Sequence, residues 1–162
     1  MFFFKNKYKT SNSFINPLIF GIGCEFIKPS NIYGCTLGDY VFIGPFCEIQ
    51  SDVVIGNNTR IQSHSFICSL VEIGDNCRIG HGVMFINDLY KECKKLGDKT
   101  RNWKSTNLGS NCLIGSNATI LPVQICDNVI IGAGAVVSKD IKKPGVYVGN
   151  PARFLRNHIS ND

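Results

Sequence analysis

Ile55-Gly56-Asn57-Asn58-Thr59-Arg60-Ile61-Gln62-Ser63-His64-Ser65-Phe66-Ile67 carries an isoleucine at every sixth position. The same step runs on through Leu37, Ile43 and Ile49 on one side and Ile73, Ile79 and Phe85 on the other. Two places before most of them stands a small or β-branched residue: Val41, Cys47, Val53, Thr59, Ser65, Val71, Cys77, Val83. The beat resumes at Leu108, Ile114 and Ile120, then at Ile125, Ile131 and Val137. A fixed hexapeptide period points to an all-β chain wound as a parallel β-helix. Each hexapeptide is one flat strand plus a turn, and three make a triangular coil of about 18 residues. Ile43, Ile61 and Ile79 then stack as one inward ladder, and Ile49, Ile67 and Phe85 as another. Each coil buries its ladder only against the coils above and below, so stability is collective.

The places where the beat fails carry information of their own. From about residue 88 to 107 the period vanishes into a polar stretch that includes Lys91, Glu92, Lys94, Lys95, Asp98, Lys99 and Arg101. This reads as a loop extruded from one coil corner, and long loops on rigid scaffolds are commonly functional. Between Ile120 and Ile125 the step is five residues, which predicts a tightened corner at Leu121-Pro122-Val123. Pro144-Gly145 ends the regular coils, and the stretch from about 144 to 162 reads as a cap with a short helical segment from Arg153 to His158. Asn16 to Ser30 reads as an irregular first coil, because Ile19, Ile22 and Ile27 miss the strict step.

The 162 residues fit a single domain spanning 1–162, and a net charge of +5 is modest. Its basic residues gather near the C-terminus, which suits a polyanionic small molecule better than nucleic acid, where a denser basic stripe is expected. No stretch reaches membrane-spanning length, and the lysines after Met1-Phe2-Phe3-Phe4 are in the wrong order for a secretory leader. The eight cysteines contain no C-x-x-C pair, so no zinc or dithiol motif is indicated and no metal is expected. Cys35, Cys47, Cys77 and Cys112 fall at the small inward slots as small hydrophobes. Unpaired thiols fit a reducing, cytoplasmic location.

The coils, the loop, Ile114-Gly115-Ser116-Asn117-Ala118-Thr119-Ile120, Gly132-Ala133-Gly134-Ala135-Val136-Val137 and Gly149-Asn150-Pro151-Ala152-Arg153 resemble the hexapeptide-repeat acyltransferase superfamily. Within it, Gly80-His81-Gly82-Val83-Met84-Phe85-Ile86-Asn87-Asp88, the polar loop and Trp103 are similar to the N-acetyltransferases acting on nucleotide-linked 3-amino sugars. Lys91-Glu92 replaces the Pro-Arg usual in that group. The resemblance implies a left-handed helix, homotrimers, and acetyl-CoA as co-substrate in the groove between neighbouring subunits. It places the pantetheine arm along the backbone of Gly115, Ser116, Ala118, Ala133 and Gly134, and the phosphates near Lys139, Lys142, Lys143 and Arg153.

On the acceptor side it implies that Asn87 orients the attacking sugar amine, which must be neutral to react. Asp88, His81, Tyr90 and Trp103 are candidate substrate contacts, and His64 is a candidate corner base. The implied activity is transfer of acetyl to the C3 amine of a sugar such as a dTDP-3-amino-3,6-dideoxyhexose, for surface glycan (lipopolysaccharide or O-antigen) synthesis. The alternatives are a UDP-linked 3-amino uronic acid acceptor, an O-acetyltransferase with a histidine base, and a non-catalytic β-helix scaffold. A γ-type carbonic anhydrase fits poorly, because His64 and His81 are 17 residues apart and His158 lies in the tail.

Overall fold

A computed structural model describes residues 18–89 and 103–158. Among them are twenty short strands and no helix. The strands build three sheets in strict rotation, so the chain visits face A, face B and face C and then climbs one coil. Face A runs from Ile19–Phe20 to Gln124–Ile125, face B from Glu25–Phe26 to Arg153–Arg156, and face C from Asn31–Ile32 to Val136–Val137. Every pairing is parallel except the last. The fold is the left-handed parallel β-helix, all-β as the six-residue period predicts. Among the described residues no helix is long and apolar enough to cross a membrane.

The ladders occur as expected. Ile43, Ile61, Ile79, Ile114 and Ile131 fill face B; Ile49, Ile67, Phe85, Ile120 and Val137 fill face C; Leu37, Ile55, Ile73, Leu108 and Ile125 fill face A. None is more than 3 % exposed. Burying one such side chain is worth about 1.5–3 kcal/mol, and the stack repeats that gain on every coil. Cys35, Cys47, Cys77 and Cys112 sit buried and unpaired in the small slots, joined by Cys68. Burial pushes the Cys35 and Cys68 thiols up to about 11. Hydrogen bonding to Cys77, then burial, raises Cys112 as well. All five pack as small hydrophobes, Cys77 alone with its thiol lowered, chiefly by its bond to Cys112.

Three features differ from the sequence reading. The C-terminal segment is no helix: Arg153–Arg156 is a strand that turns back antiparallel onto Gly145–Val148. Gly145–Val148 is otherwise an open edge, and pairing it satisfies backbone groups that a helix of one turn would leave exposed. Phe154 packs edge-on against Tyr147 at 5.5 Å to anchor the return. The first coil, by contrast, is regular. Phe20, Phe26 and Ile32 occupy its inward positions, so the beat continues in phenylalanine where isoleucine counting loses it. A second five-residue corner, Tyr33-Gly34-Cys35, lies at the same C–A edge as the predicted one at Leu121-Pro122-Val123. The loop also leaves from the C–A edge, between Met84–Phe85 and Thr106–Leu108. Its residues 90–102 are outside the described part.

The A–B edge is tied by a ladder of side-chain oxygens. Asp39 Oδ1 accepts the Ile22 N–H at 2.9 Å, Asn57 Oδ1 that of Asp39 at 2.8 Å, and Asp75 Oδ1 that of Asn57 at 2.6 Å. Ser110 Oγ accepts from Asp75 and Asp127 Oδ1 from Ser110, at 3.1 and 2.7 Å. Asp75→Ala leaves the Asn57 N–H without its partner and is expected to cost about 1 kcal/mol. In a chain of this size that lowers Tm by about 2–4 °C, with Asp75→Asn close to wild type. Calorimetry checks it.

Candidate active site

Because the A–B edge spends its carboxylates on backbone, the two remaining edges are where chemistry can sit. The B–C edge stacks the turn segments 44–46, 62–64, 80–82, 115–117 and 132–134. Its left-handed column is Phe46, His64, Gly82, Asn117 and Gly134, with φ between 59° and 68°. Phe46 and His64 hold that backbone without glycine's freedom, and their rings stack at 4.9 Å across adjacent coils. Gly134 has open space where a side chain would project.

One position before that column stand Pro45, Ser63, His81, Ser116 and Ala133. Ser63 Oγ lies 2.9 Å from His81 Nδ1, and the His81 N–H donates to Ser116 Oγ at 3.2 Å. The fold therefore gathers His64, His81, Gly115, Ser116, Ala133 and Gly134 on one edge. Gly115 is needed for stacking, since a Cβ there would lie 2.4 Å from the Ala133 nitrogen. Ala118 points its methyl into the core, and its backbone N–H and carbonyl bond to Gly115 and Met84.

The C–A edge holds Asn87 at the neck of the loop. Its Nδ2 donates to the Ser69 carbonyl at 3.1 Å, and its own carbonyl accepts the Lys104 N–H at 2.9 Å. A carbonyl can only accept, so Nδ2 must face Ser69 and Oδ1 is turned the other way. Ser69 is held in turn, its N–H donating to Gln50 Oε1 at 3.1 Å. Gln50 Nε2 and the Tyr33 hydroxyl both donate to Glu48 Oε1, at 3.1 and 3.3 Å. Burial, then the Glu48 charge, raises the Tyr33 phenol. A chain of five residues thus runs across successive coils to the base of the loop. Asp88 is half-buried beside Asn87, and Trp103 lies at the returning end of the loop, 38 % exposed. Tyr90 is outside the described residues.

The basic candidates separate at the C-terminal end. Lys139 follows the last face C strand on the C–A edge, while Lys142 and Lys143 lie beyond the Ile125–Ile141 bridge on the way to face B. All three are exposed, as is Arg153. A cleft of about 290 Å³ opens between Val137–Ile141 and the returning strand, with Lys139 and Arg153 on its rim and Tyr147 and Phe154 in its wall. Lys143 Nζ lies 5.0 Å above the Phe154 ring. Among the described residues no three His, Cys, Asp or Glu side chains group as metal ligands.

Sequence reading passes over Ser63, Ser69 and Gln50. Ser63 precedes His81 by one coil of 18 residues, so the stacking rule alone puts the two side by side. The Gln50–Ser69–Asn87 chain crosses an edge whose corner lengths vary, and no fixed spacing reveals it.

The bacterial transferase hexapeptide family (six repeats) matches residues 34–69, and the hexapeptide repeat of succinyl-transferase matches residues 106–139. The bifunctional protein GlmU of Clostridium perfringens (strain SM101 / Type A) is 32 % identical over 124 residues, covering 76 % of this chain and 24 % of GlmU. The chain spans about a quarter to a third of the curated relatives it matches, 24 % here and 33 % for GlmU of Wolbachia pipientis wMel. Among solved structures, a serine-to-alanine mutant of AntD, an N-acyltransferase from Bacillus cereus in complex with dTDP-4-amino-4,6-dideoxyglucose and coenzyme A, superposes with a TM-score of 0.78. It is 22 % identical, over 88 % of this chain and 84 % of AntD. A histidine-to-asparagine mutant of perosamine N-acetyltransferase from Caulobacter crescentus, in complex with CoA and GDP-perosamine, gives 0.60 at 19 % identity, over 87 % and 58 % of the two chains. At such identities the likeness is one of fold. With the six-residue ladders and both repeat matches, it means that this chain is a hexapeptide-repeat left-handed β-helix, similar along most of its length to acyltransferases built on that fold.

Proposed function

We propose that this protein transfers acetyl from acetyl-CoA to the amine of a nucleotide-linked deoxyamino sugar. The observation that carries the reading is Asn87, whose amide is locked by Ser69 with its oxygen turned away from that bond. An amide oxygen accepts a hydrogen bond from a neutral amine without favouring the ammonium as a carboxylate would, and the neutral amine is the nucleophile. The Gly80 to Asp88 segment supports a C3 amine, with a dTDP-3-amino-3,6-dideoxyhexose as the preferred acceptor and a UDP-3-amino uronic acid as the next. The AntD complex carries a 4-amino sugar, which makes the C4 amine the second reading.

The coenzyme would lie along the B–C edge at Ser116, Ala133 and Gly134. Lys139 and Arg153, or Lys142 and Lys143, of an adjoining subunit would meet its phosphates. Within one protomer Asn87 and the two histidines sit on different edges of the prism, so a homotrimer is part of the proposal. So are a cytoplasmic setting and a role in surface glycan synthesis.

The reaction releases one thiol per acetyl transferred, and a thiol-release assay against dTDP- and UDP-linked 3-amino and 4-amino sugars tests it. Release is expected with a 3-amino acceptor. Release with none of these amines, together with release on a simple hydroxyl acceptor, would convert the assignment to an O-acetyltransferase. Absence of any thermal shift with millimolar coenzyme A would favour the scaffold.

A further inference from the structure

We infer that the open N-terminal end of the solenoid is a docking surface for the chain's own first residues, which lay one aromatic turn beneath Phe20, Phe26 and Ile32. Ile19–Phe20, Glu25–Phe26 and Asn31–Ile32 are the outermost strands of faces A, B and C, so all three sheets end at one mouth. At the other end Arg153–Arg156 folds back onto Gly145–Val148, and among the described residues the mouth has no such cover. Phe20 is 53 % exposed at its inward position, where Leu37 one coil above is 2 % exposed. Its ring meets that of Phe26 edge-on at 5.6 Å, and Ile19 and Ile22 stand exposed on the rim. Open strand edges around an apolar mouth are a template for more chain.

The residues that precede Leu18 carry the matching pattern. Counting back from Phe26 in steps of six gives Phe20, Phe14, Tyr8 and Phe2, an aromatic at every stop. One coil's length separates Phe14 from Ile32, Tyr8 from Phe26 and Phe2 from Phe20, which sets each beneath an inward side chain of the mouth. Lys7 and Lys9 flank Tyr8, and Ser13 precedes Phe14 as Glu25 precedes Phe26. That alternation suits a strand with one face turned inward. The segment is also tethered to Leu18 at the mouth itself. Its effective concentration there is on the order of millimolar, an advantage that a second copy or any separate partner lacks. The apolar run after Met1 thereby gains a place in the fold, with Phe2 as its inward member.

Hydrogen exchange read by mass spectrometry on the full chain tests the docking. In the wild type, backbone amides of residues 3–17 should exchange at least ~10²-fold more slowly than in a free peptide of the same sequence. Tyr8→Asp and Phe14→Asp lie on the six-residue step. Each should remove most of that protection and speed exchange in Ile19–Phe20 and Glu25–Phe26 about 10-fold. Phe3→Asp and Ile15→Asp put the same charge on apolar residues one place off the step, and should leave both segments within about twofold of wild type. Peptides holding Ile79 and Ile114 should stay protected in all four variants, because those coils do not touch the mouth. Free-peptide exchange of residues 3–17 in the wild type, or equal loss of protection in the off-step variants, overturns the inference. So does a mouth whose protection disappears on dilution together with a halving of the mass by light scattering, which would assign it to a second copy. Cosedimentation with vesicles of phosphatidylcholine and phosphatidylserine, lost alike in Phe3→Asp and Phe14→Asp, overturns it in favour of a lipid surface.

Discussion

Asn87→Ala is expected to lower kcat by ~10²–10³-fold, the usual loss when a reacting group is no longer held in line. Coenzyme A should still bind within about twofold by thermal shift, since its proposed path follows the B–C edge and Asn87 lies on the C–A edge. The side chain has two ends with separate duties. Nδ2 fastens the loop neck to the Ser69 carbonyl, and Oδ1 is left to meet an amine proton. Losing the first duty costs about 1 kcal/mol of stability, visible in Tm but far too little to unfold the solenoid. Losing the second removes the alignment. Asn87→Asp separates them further. A carboxylate cannot donate to Ser69, and its charge favours the ammonium form of the substrate, raising the amine pKa. The neutral fraction then appears only at higher pH, so the residual activity of Asn87→Asp should have its optimum displaced upward relative to wild type. A normal rate in Asn87→Ala with an unchanged pH profile would reduce this residue to a loop fastener.

What could be read in advance follows from what repeats. The ladders from Leu37 to Phe85 and from Leu108 to Val137 are legible because each coil imposes the same inward position and buries it completely. The cysteines at the small slots are legible for the same reason. The first coil is missed because Phe20 and Phe26 satisfy the inward position with a different residue type at an open end, where burial is incomplete. The cap is misjudged because a four-residue segment has no helical or strand preference strong enough to decide. The unpaired edge of Gly145–Val148 decides instead. At the candidate site, Asn87 is visible through its place at the end of a coil run. The orientation of its amide depends on Ser69 and Gln50, and only folded geometry can show that.

Mixing two impaired variants should restore about a quarter of wild-type activity if the trimer reading is right. Asn87 and His81 flank face C from opposite edges. With six residues at about 3.3 Å each, they are ~20 Å apart in one protomer, too far for the amine that Asn87 is proposed to orient and a substrate contact proposed at His81 to meet at one acetyl group. A cyclic trimer that sets the C–A edge of one subunit against the B–C edge of the next removes that distance. His81→Gln subunits keep Asn87, and Asn87→Ala subunits keep His81. When equal amounts are dissociated and reassembled at random, about three quarters of the trimers are mixed. Each mixed trimer has one of its three interfaces carrying both native residues, whichever variant is in the majority. Roughly a quarter of all sites are then intact, whereas neither variant alone contains any. A mixture no more active than the mean of its two components would mean that the reacting groups belong to one protomer or that the edges do not meet. Size-exclusion measurements on the same samples separate the two outcomes, since a monomer forbids the second geometry outright. On the trimer reading, the distance across face C makes subunit association part of the chemistry.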